Sequence, residues 1–244
     1  MIGNFSEEAQ DLWDFARCRR KDGSHYGTRG KCRKGVEVGE DDYSSWKVLK
    51  EGNYGRVSVS PDGDRVVKTL LEHNGKEGEF GPYEVQLATR MGELGHSPTI
   101  HSHSDKHIEM DIAPGEPLWK GYAKGEDEPV MNATQARKAA QAIQTLHREG
   151  FHHGDMHSQQ FLVNGNDVKL VDFGLSGRNE GNPRKAIQDL NKISKLVNWE
   201  NPSLANDPYF SMVNRYRKLY AEAKGNKNKE NNIADAYLRE LQSL

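Results

Sequence analysis

The stretch Leu146-His147-Arg148-Glu149-Gly150-Phe151-His152-His153-Gly154-Asp155-Met156-His157-Ser158-Gln159-Gln160-Phe161-Leu162-Val163 decides the fold. It begins at the end of a helical pattern over 133–149, in which Ala136, Ala140, Ile143 and Leu146 or His147 share one face. It then crosses a histidine-rich loop that carries one carboxylate, Asp155, and enters the apolar run Phe161-Leu162-Val163. Asn164-Gly165-Asn166-Asp167 separates that run from Val168-Lys169-Leu170-Val171, which predicts a tight hairpin. The second run leads into Asp172-Phe173-Gly174-Leu175-Ser176, so a second carboxylate falls seventeen residues after the first.

Toward the N-terminus, Ile108 to Ile112 reads as a strand broken by Ala113-Pro114-Gly115, and residues 82–94 read as a helix. There Val85, Ala88, Met91 and Leu94 are at helical spacing after Pro82. Before that helix, short β-branched runs between Trp46 and Lys68 flank Pro61-Asp62-Gly63-Asp64 and predict an antiparallel hairpin with a third strand nearby. One of these strands ends in Lys68, eleven residues after Val57. Upstream, Lys50-Glu51-Gly52-Asn53-Tyr54-Gly55-Arg56-Val57 offers glycines through which a backbone can approach phosphates. Taken singly, the glycines also suit an ordinary hairpin, and Lys68 and Glu84 also suit a solvated surface.

Together, and in this order, these segments resemble the protein-kinase-like superfamily, whose catalytic loop reads His-Arg-Asp in ordinary protein kinases and His-Gly-Asp in compact atypical branches. The His-Gly-Asp-x-His form at His153 to His157 is similar to aminoglycoside and choline phosphotransferases, lipopolysaccharide kinases, and RIO-like and tRNA-modification-associated kinases. The resemblance covers roughly residues 46 to 200. It implies an α+β, two-lobed fold, with a small antiparallel sheet and one main helix in the N-lobe (43–112) and a mostly helical C-lobe (113–244). Residues 1–42 are set apart as a basic extension.

The resemblance also implies ATP with Mg2+, or Mn2+, as cofactors, and a role for each motif residue. Asp155 would orient the nucleophile and accept its proton, and Asp172 would ligate the metal. His157 would contact phosphate or substrate. Lys68 would hold the α and β phosphates, with Glu84 as its carboxylate partner. Gly52, Gly55 and Val57 would cover the nucleotide, and Met110 and Ile112, in Met110-Asp111-Ile112-Ala113-Pro114-Gly115, would meet the adenine. His153 and Asp189 would support the loop. One departure stands out: the metal-binding asparagine of the family is here Gln160, whose extra methylene shifts the carbonyl oxygen. A catalytically weak ATP-binding module therefore stands beside the enzyme readings.

No long activation segment follows Asp172; Arg178 to Pro183 leads directly into the helical pattern around Asp189. The interval 115–132 is short and charged, which favours a protein acceptor, or the chain itself, over a small molecule of the aminoglycoside or choline type. Lys and Arg total 34 against 36 Asp and Glu, a balance that does not select nucleic acid. The sequence contains no apolar run of membrane-spanning length and no signal-peptide layout. With only Cys18 and Cys32, it predicts a cytoplasmic protein. The block Arg17 to Gly35 is locally basic and suits docking on an acidic partner, on nucleic acid or on the kinase body itself. Cys18, His25 and Cys32 lack the close ligand pairs of a structural zinc site.

Overall fold

The computed structural model describes residues 43–51, 55–72, 78–113, 115–118 and 130–244. The expected helix over Phe5 to Arg19, the basic block and both cysteines lie outside the described residues, as does Gly52. The chain divides into two units, residues 1–47 and 48–244. In the first, Tyr43 and Trp46 pack edge to face with ring centroids 4.9 Å apart.

From Lys47 onward the chain forms a five-stranded antiparallel sheet in the order β1-β2-β3-β5-β4. The strands are β1 (Lys47–Glu51), β2 (Gly55–Val59), β3 (Arg65–Leu70), β4 (Ile100–His103) and β5 (His107–Asp111). Directly opposed residues of antiparallel strands project to the same face. The pairs Val57↔Lys68 and Val66↔Met110 therefore place Val57, Val66, Lys68 and Met110 on one face of the sheet. Strand β4 has no counterpart in the sequence reading. Ile100-His101-Ser102-His103 holds a single apolar residue, and its place comes from pairing with β5 across a register shift.

Helix α1 (Glu84–Glu93) buries Leu87, Ala88 and Met91, whereas Leu94, expected on that face, caps the helix and is exposed. Helix α2 (Ala133–Arg148) starts at a capping box, in which Asn132 accepts the Thr134 and Gln135 N–H groups while the Gln135 side chain accepts the Asn132 N–H. Such caps contribute about 1 kcal/mol. Its buried face, Ala136, Ala139, Ala140, Ile143, Leu146 and His147, shares one core with Leu87, Met91, Phe173 and Ile187.

Three short antiparallel ladders follow from β6 (Glu116–Pro117), β7 (Phe151–His152), β8 (Phe161–Asn164), β9 (Asp167–Leu170) and β10 (Gly177–Arg178). Strands β8 and β9 turn through Gly165-Asn166, as the sequence predicts, and β7 pairs with β10. The rest is helical: α3 (Arg184–Lys192), α4 (Ser194–Val197), α5 (Pro208–Glu222) and α6 (Lys227–Leu241).

The sequence of Lys224 to Asn232, a polar break before a last amphipathic helix, predicts a linker, but the chain is helical from Lys227 onward. The Asn226 side chain accepts the Lys229 N–H, and Glu230 both accepts the Gly225 N–H and pairs with Arg184. These contacts outweigh the low propensity of the asparagines. Among the described residues no helix is long and apolar enough to cross a membrane. The fold is α+β and protein-kinase-like.

Candidate active site

Strand β3 carries Lys68 to its place. The Lys68 Nζ lies 2.6 Å from Glu84 Oε1 at the start of α1 and 3.0 Å from Asp172 Oδ1. Burial pulls the Lys68 ammonium down, but Asp172 and Glu84 more than offset it and hold it above its ordinary value. Burial likewise pushes the Asp172 carboxyl up, and Lys68 outweighs that, leaving Asp172 below the usual carboxylate value. Both partners are thus charged at neutral pH.

Glu84 uses its second oxygen as well: Oε2 accepts the Gly81 N–H at 3.1 Å. Gly81 in turn sits against Gly174, where a Cβ would lie 2.2 Å from the Gly174 carbonyl oxygen. The start of α1 is therefore seated on the Asp172-Phe173-Gly174 backbone. Tyr83 packs edge to face on Phe151 at 5.2 Å, and the Arg178 guanidinium lies 5.2 Å from the Phe151 centroid and 5.8 Å from that of Tyr83.

The loop that carries Asp155 is anchored from beneath. Asp189 on α3 accepts the His153 N–H at 2.7 Å and the Gly154 N–H at 3.1 Å. Lys192, one turn on, donates to the Gly154 carbonyl at 2.7 Å. Gly154 has φ +83°, and a Cβ there would lie 2.2 Å from the Leu175 carbonyl oxygen. A side chain such as the arginine of His-Arg-Asp cannot occupy this backbone. His153 is fully buried, donates from Nε2 to the Val171 carbonyl at 3.0 Å, and stacks obliquely on Phe173 at 5.4 Å.

Asp155 and His157 are both partly exposed, with His157 Nε2 3.5 Å from Asp155 Oδ2. The Gln160 amide, buried, lies 3.0 Å from His157 Nε2 and 3.5 Å from Asp155 Oδ2. His157 Nδ1 accepts the Gln159 N–H, so the neutral ring carries its proton on Nε2. Gln160 Nε2 is the atom that donates to Asp155 Oδ2.

Lys68, Glu84 and Asp172 come together, as do Asp155, His157 and Gln160. Gly55 opens β2 opposite Leu70. Met110 lies in the ladder between Val66 and Ile100, leaving its side chain for the cleft face, and the Ile112 N–H is donated to the Asp64 carbonyl at 3.0 Å. Val66 and Lys192 were not singled out from sequence. The signal for Val66 was its position two residues before Lys68, and for Lys192 its position three residues after Asp189 on one helix.

A family model described as lipopolysaccharide core biosynthesis protein (WaaY) matches residues 122–228. A probable bifunctional tRNA threonylcarbamoyladenosine biosynthesis protein from Methanocorpusculum labreanum is 27% identical over 188 residues, covering 72% of this chain and 33% of that protein. The casein kinase 1-like protein HD16 of Oryza sativa subsp. japonica is 27% identical over 167 residues, covering 59% and 24%. The chain thus spans a third or less of the length of these relatives. Among solved structures, a macrolide 2'-phosphotransferase from Brachybacterium faecium aligns with a TM-score of 0.44 at 14% identity, covering 81% of this chain and 92% of that one. With the Lys68–Glu84 pair, the anchored Asp155 loop and the Asp172-Phe173-Gly174 segment in their superfamily order, the chain belongs to the protein-kinase-like superfamily.

Proposed function

We propose that the chain is an ATP-dependent phosphotransferase that moves the γ-phosphoryl group to a hydroxyl of a protein acceptor or of the chain itself. The observation that carries this reading is the Lys68 ammonium held between Glu84 and Asp172, a competent arrangement rather than a dispersed set of charges. Phosphoryl transfer asks little covalent chemistry of a protein and much positioning and charge neutralisation.

The ionised, half-exposed Asp172 carboxylate is a hard oxygen donor of the kind Mg2+ takes, and it fits that role. A bound Mg2+ neutralises charge on the β and γ phosphates. Gln160, whose amide nitrogen donates to Asp155, keeps its carbonyl oxygen as the candidate second donor, set off by its extra methylene. Lys68, fixed by Glu84, holds the phosphates on its side of the cleft. Val57, Val66 and Met110, half-buried on the face that Lys68 shares, supply an apolar platform for a flat base. Asp155 accepts the proton of the incoming hydroxyl, and His157 Nε2–H stands beside it as a donor to phosphate oxygen.

A second reading, in which the acceptor is a sugar hydroxyl, is favoured by the WaaY match, which includes the Asp155 loop. Transfer of labelled γ-phosphate from Mg-ATP and from Mn-ATP to the chain, to a generic protein and to a lipopolysaccharide core separates the readings. Asp155→Ala and Asp172→Ala serve as controls. Incorporation into protein that both variants lose supports the first reading, and incorporation into the core alone replaces it with the second. No transfer to any acceptor, in a chain that binds ATP, refutes both and leaves the binding module.

A further inference from the structure

Behind the catalytic loop lies a buried polar chain that runs out to the last helix. Asp189 is 1% exposed, and the two N–H groups it accepts belong to the residues just before Asp155. His147, near the end of α2 and equally buried, places Nε2 3.5 Å from Asp189 Oδ2. Its other nitrogen, Nδ1, lies 2.9 Å from the hydroxyl of Tyr237 on α6, and that hydroxyl is 3.3 Å from the Tyr209 hydroxyl on α5. The Tyr237 ring also meets His147 edge to face at 5.9 Å.

The protons in this chain follow from pairing. Nε2 of His147 has no hydrogen-bond partner among the described residues, and the Asp189 carboxylate lies 3.5 Å from it. An unprotonated Nε2 would set a lone pair against a carboxylate oxygen in a buried site, so the proton belongs on Nε2. Nδ1 of the neutral ring then accepts, and the donor is the Tyr237 hydroxyl. Burial pushes both tyrosine hydroxyls above their ordinary value, so they stay protonated and able to donate. Removing the Tyr237 hydroxyl would leave a buried acceptor unpaired and the ring free to turn away from Asp189.

We propose that Tyr237 is a positioning residue for the catalytic loop: its hydroxyl fixes the His147 ring, the ring steadies Asp189, and Asp189 holds the His153 and Gly154 N–H groups beneath Asp155. The link to Asp155 rests on the function proposed above, whereas the structural linkage stands apart from it.

The test is Tyr237→Phe in the full chain, read by amide hydrogen exchange. The His153 and Gly154 amides are expected to exchange about tenfold faster than in the wild type, beyond any change at the Val168 and Leu170 amides of β9, which report general loss of stability. An equal change at all four amides would overturn the proposal. If Tyr237→Phe does not fold, the wild type decides through the nitrogen-15 shifts of His147: a proton on Nε2 with Nδ1 accepting supports the linkage, and a neutral ring protonated on Nδ1 refutes it. Where transfer is measurable, kcat falls severalfold while KM for ATP holds. If transfer is absent for every acceptor but the two amides still loosen, the proposed reaction fails and the linkage stands.

Discussion

Gly154→Ala isolates the reason this loop reads His-Gly-Asp. The substitution meets two penalties: φ is +83°, and the new Cβ would lie 2.2 Å from the Leu175 carbonyl oxygen, where anything below 3.0 Å forces a shift. A left-handed conformation costs an L-residue roughly 1–2 kcal/mol, and relieving an overpacked contact costs about 1–3 kcal/mol. The sum is about 2–5 kcal/mol. Gly154 can hardly relax, because its N–H is bonded to Asp189 and its carbonyl to Lys192.

Gly150 supplies the control, with φ +86° and nothing within 4 Å of its own Cβ position. Gly150→Ala therefore carries only the conformational penalty, about 1 kcal/mol. Equilibrium urea unfolding of both variants, followed by circular dichroism, should separate them by about 1–3 kcal/mol. Two variants within about 0.5 kcal/mol of each other, at equal m-values, would refute the steric account of the loop.

Arg178→Met removes the guanidinium from the Phe151 and Tyr83 rings, and is expected to cost about 1–2 kcal/mol in urea unfolding and to raise KM for ATP by loosening α1; an unchanged KM would separate that stack from the position of α1. Gln160→Leu keeps the volume but removes the amide beside His157 and Asp155, so transfer should fall about three- to tenfold with ATP affinity unchanged, as measured by calorimetric titration; a loss of ATP affinity would instead make Gln160 a ligand for the metal-nucleotide complex. Burial, opposed by the nearby Asp189, holds His152 below the ordinary imidazole value. Its native form therefore binds fewer protons than its unfolded form, and its contribution to stability is present above about pH 6.5 and lost as pH falls through that value toward the native one. Urea midpoints should decline from pH 7 to 5, less steeply in His152→Gln, whose amide can still donate to Asn179; an identical decline in the variant would rule His152 out as a source.

The site was legible where the chemistry dictates residue type and order. Asp155, Asp172, Lys68 and Glu84 are named by motif and order, and the structure brings Lys68, Glu84 and Asp172 together and sets Asp155 beside His157. Elements whose position depends on distant partners were not legible. Strand β4 carries two histidines and a serine and joins the sheet because β5 offers it an edge. Leu94, seven residues after the buried Leu87 and so on the same face, is exposed because the helix ends at Glu93 and Leu94 is its cap, an end the helical period alone does not fix. The start of α6 reads as polar linker until Arg184, forty-six residues earlier, is seen to pair with Glu230. Tyr237 and His147 are ninety residues apart and share no motif.

The placement of α1 links these observations. In protein kinases the lysine–glutamate pair requires the helix to be held against the lower lobe, commonly by an activation segment that phosphorylation orders. Here the segment after Asp172 is short and already committed: Gly177 and Arg178 pair with His152 and Phe151, the Asn179 N–H goes to the Gly150 carbonyl, and its side chain amide goes to the Phe151 carbonyl. Against that fixed backbone rest Gly81, through its approach to Gly174, and Tyr83, through Phe151 and Arg178. None of these contacts waits for an added charge. Glu84 follows Tyr83 directly and Gly81 by three residues, so the packing of these two carries its carboxylate toward Lys68.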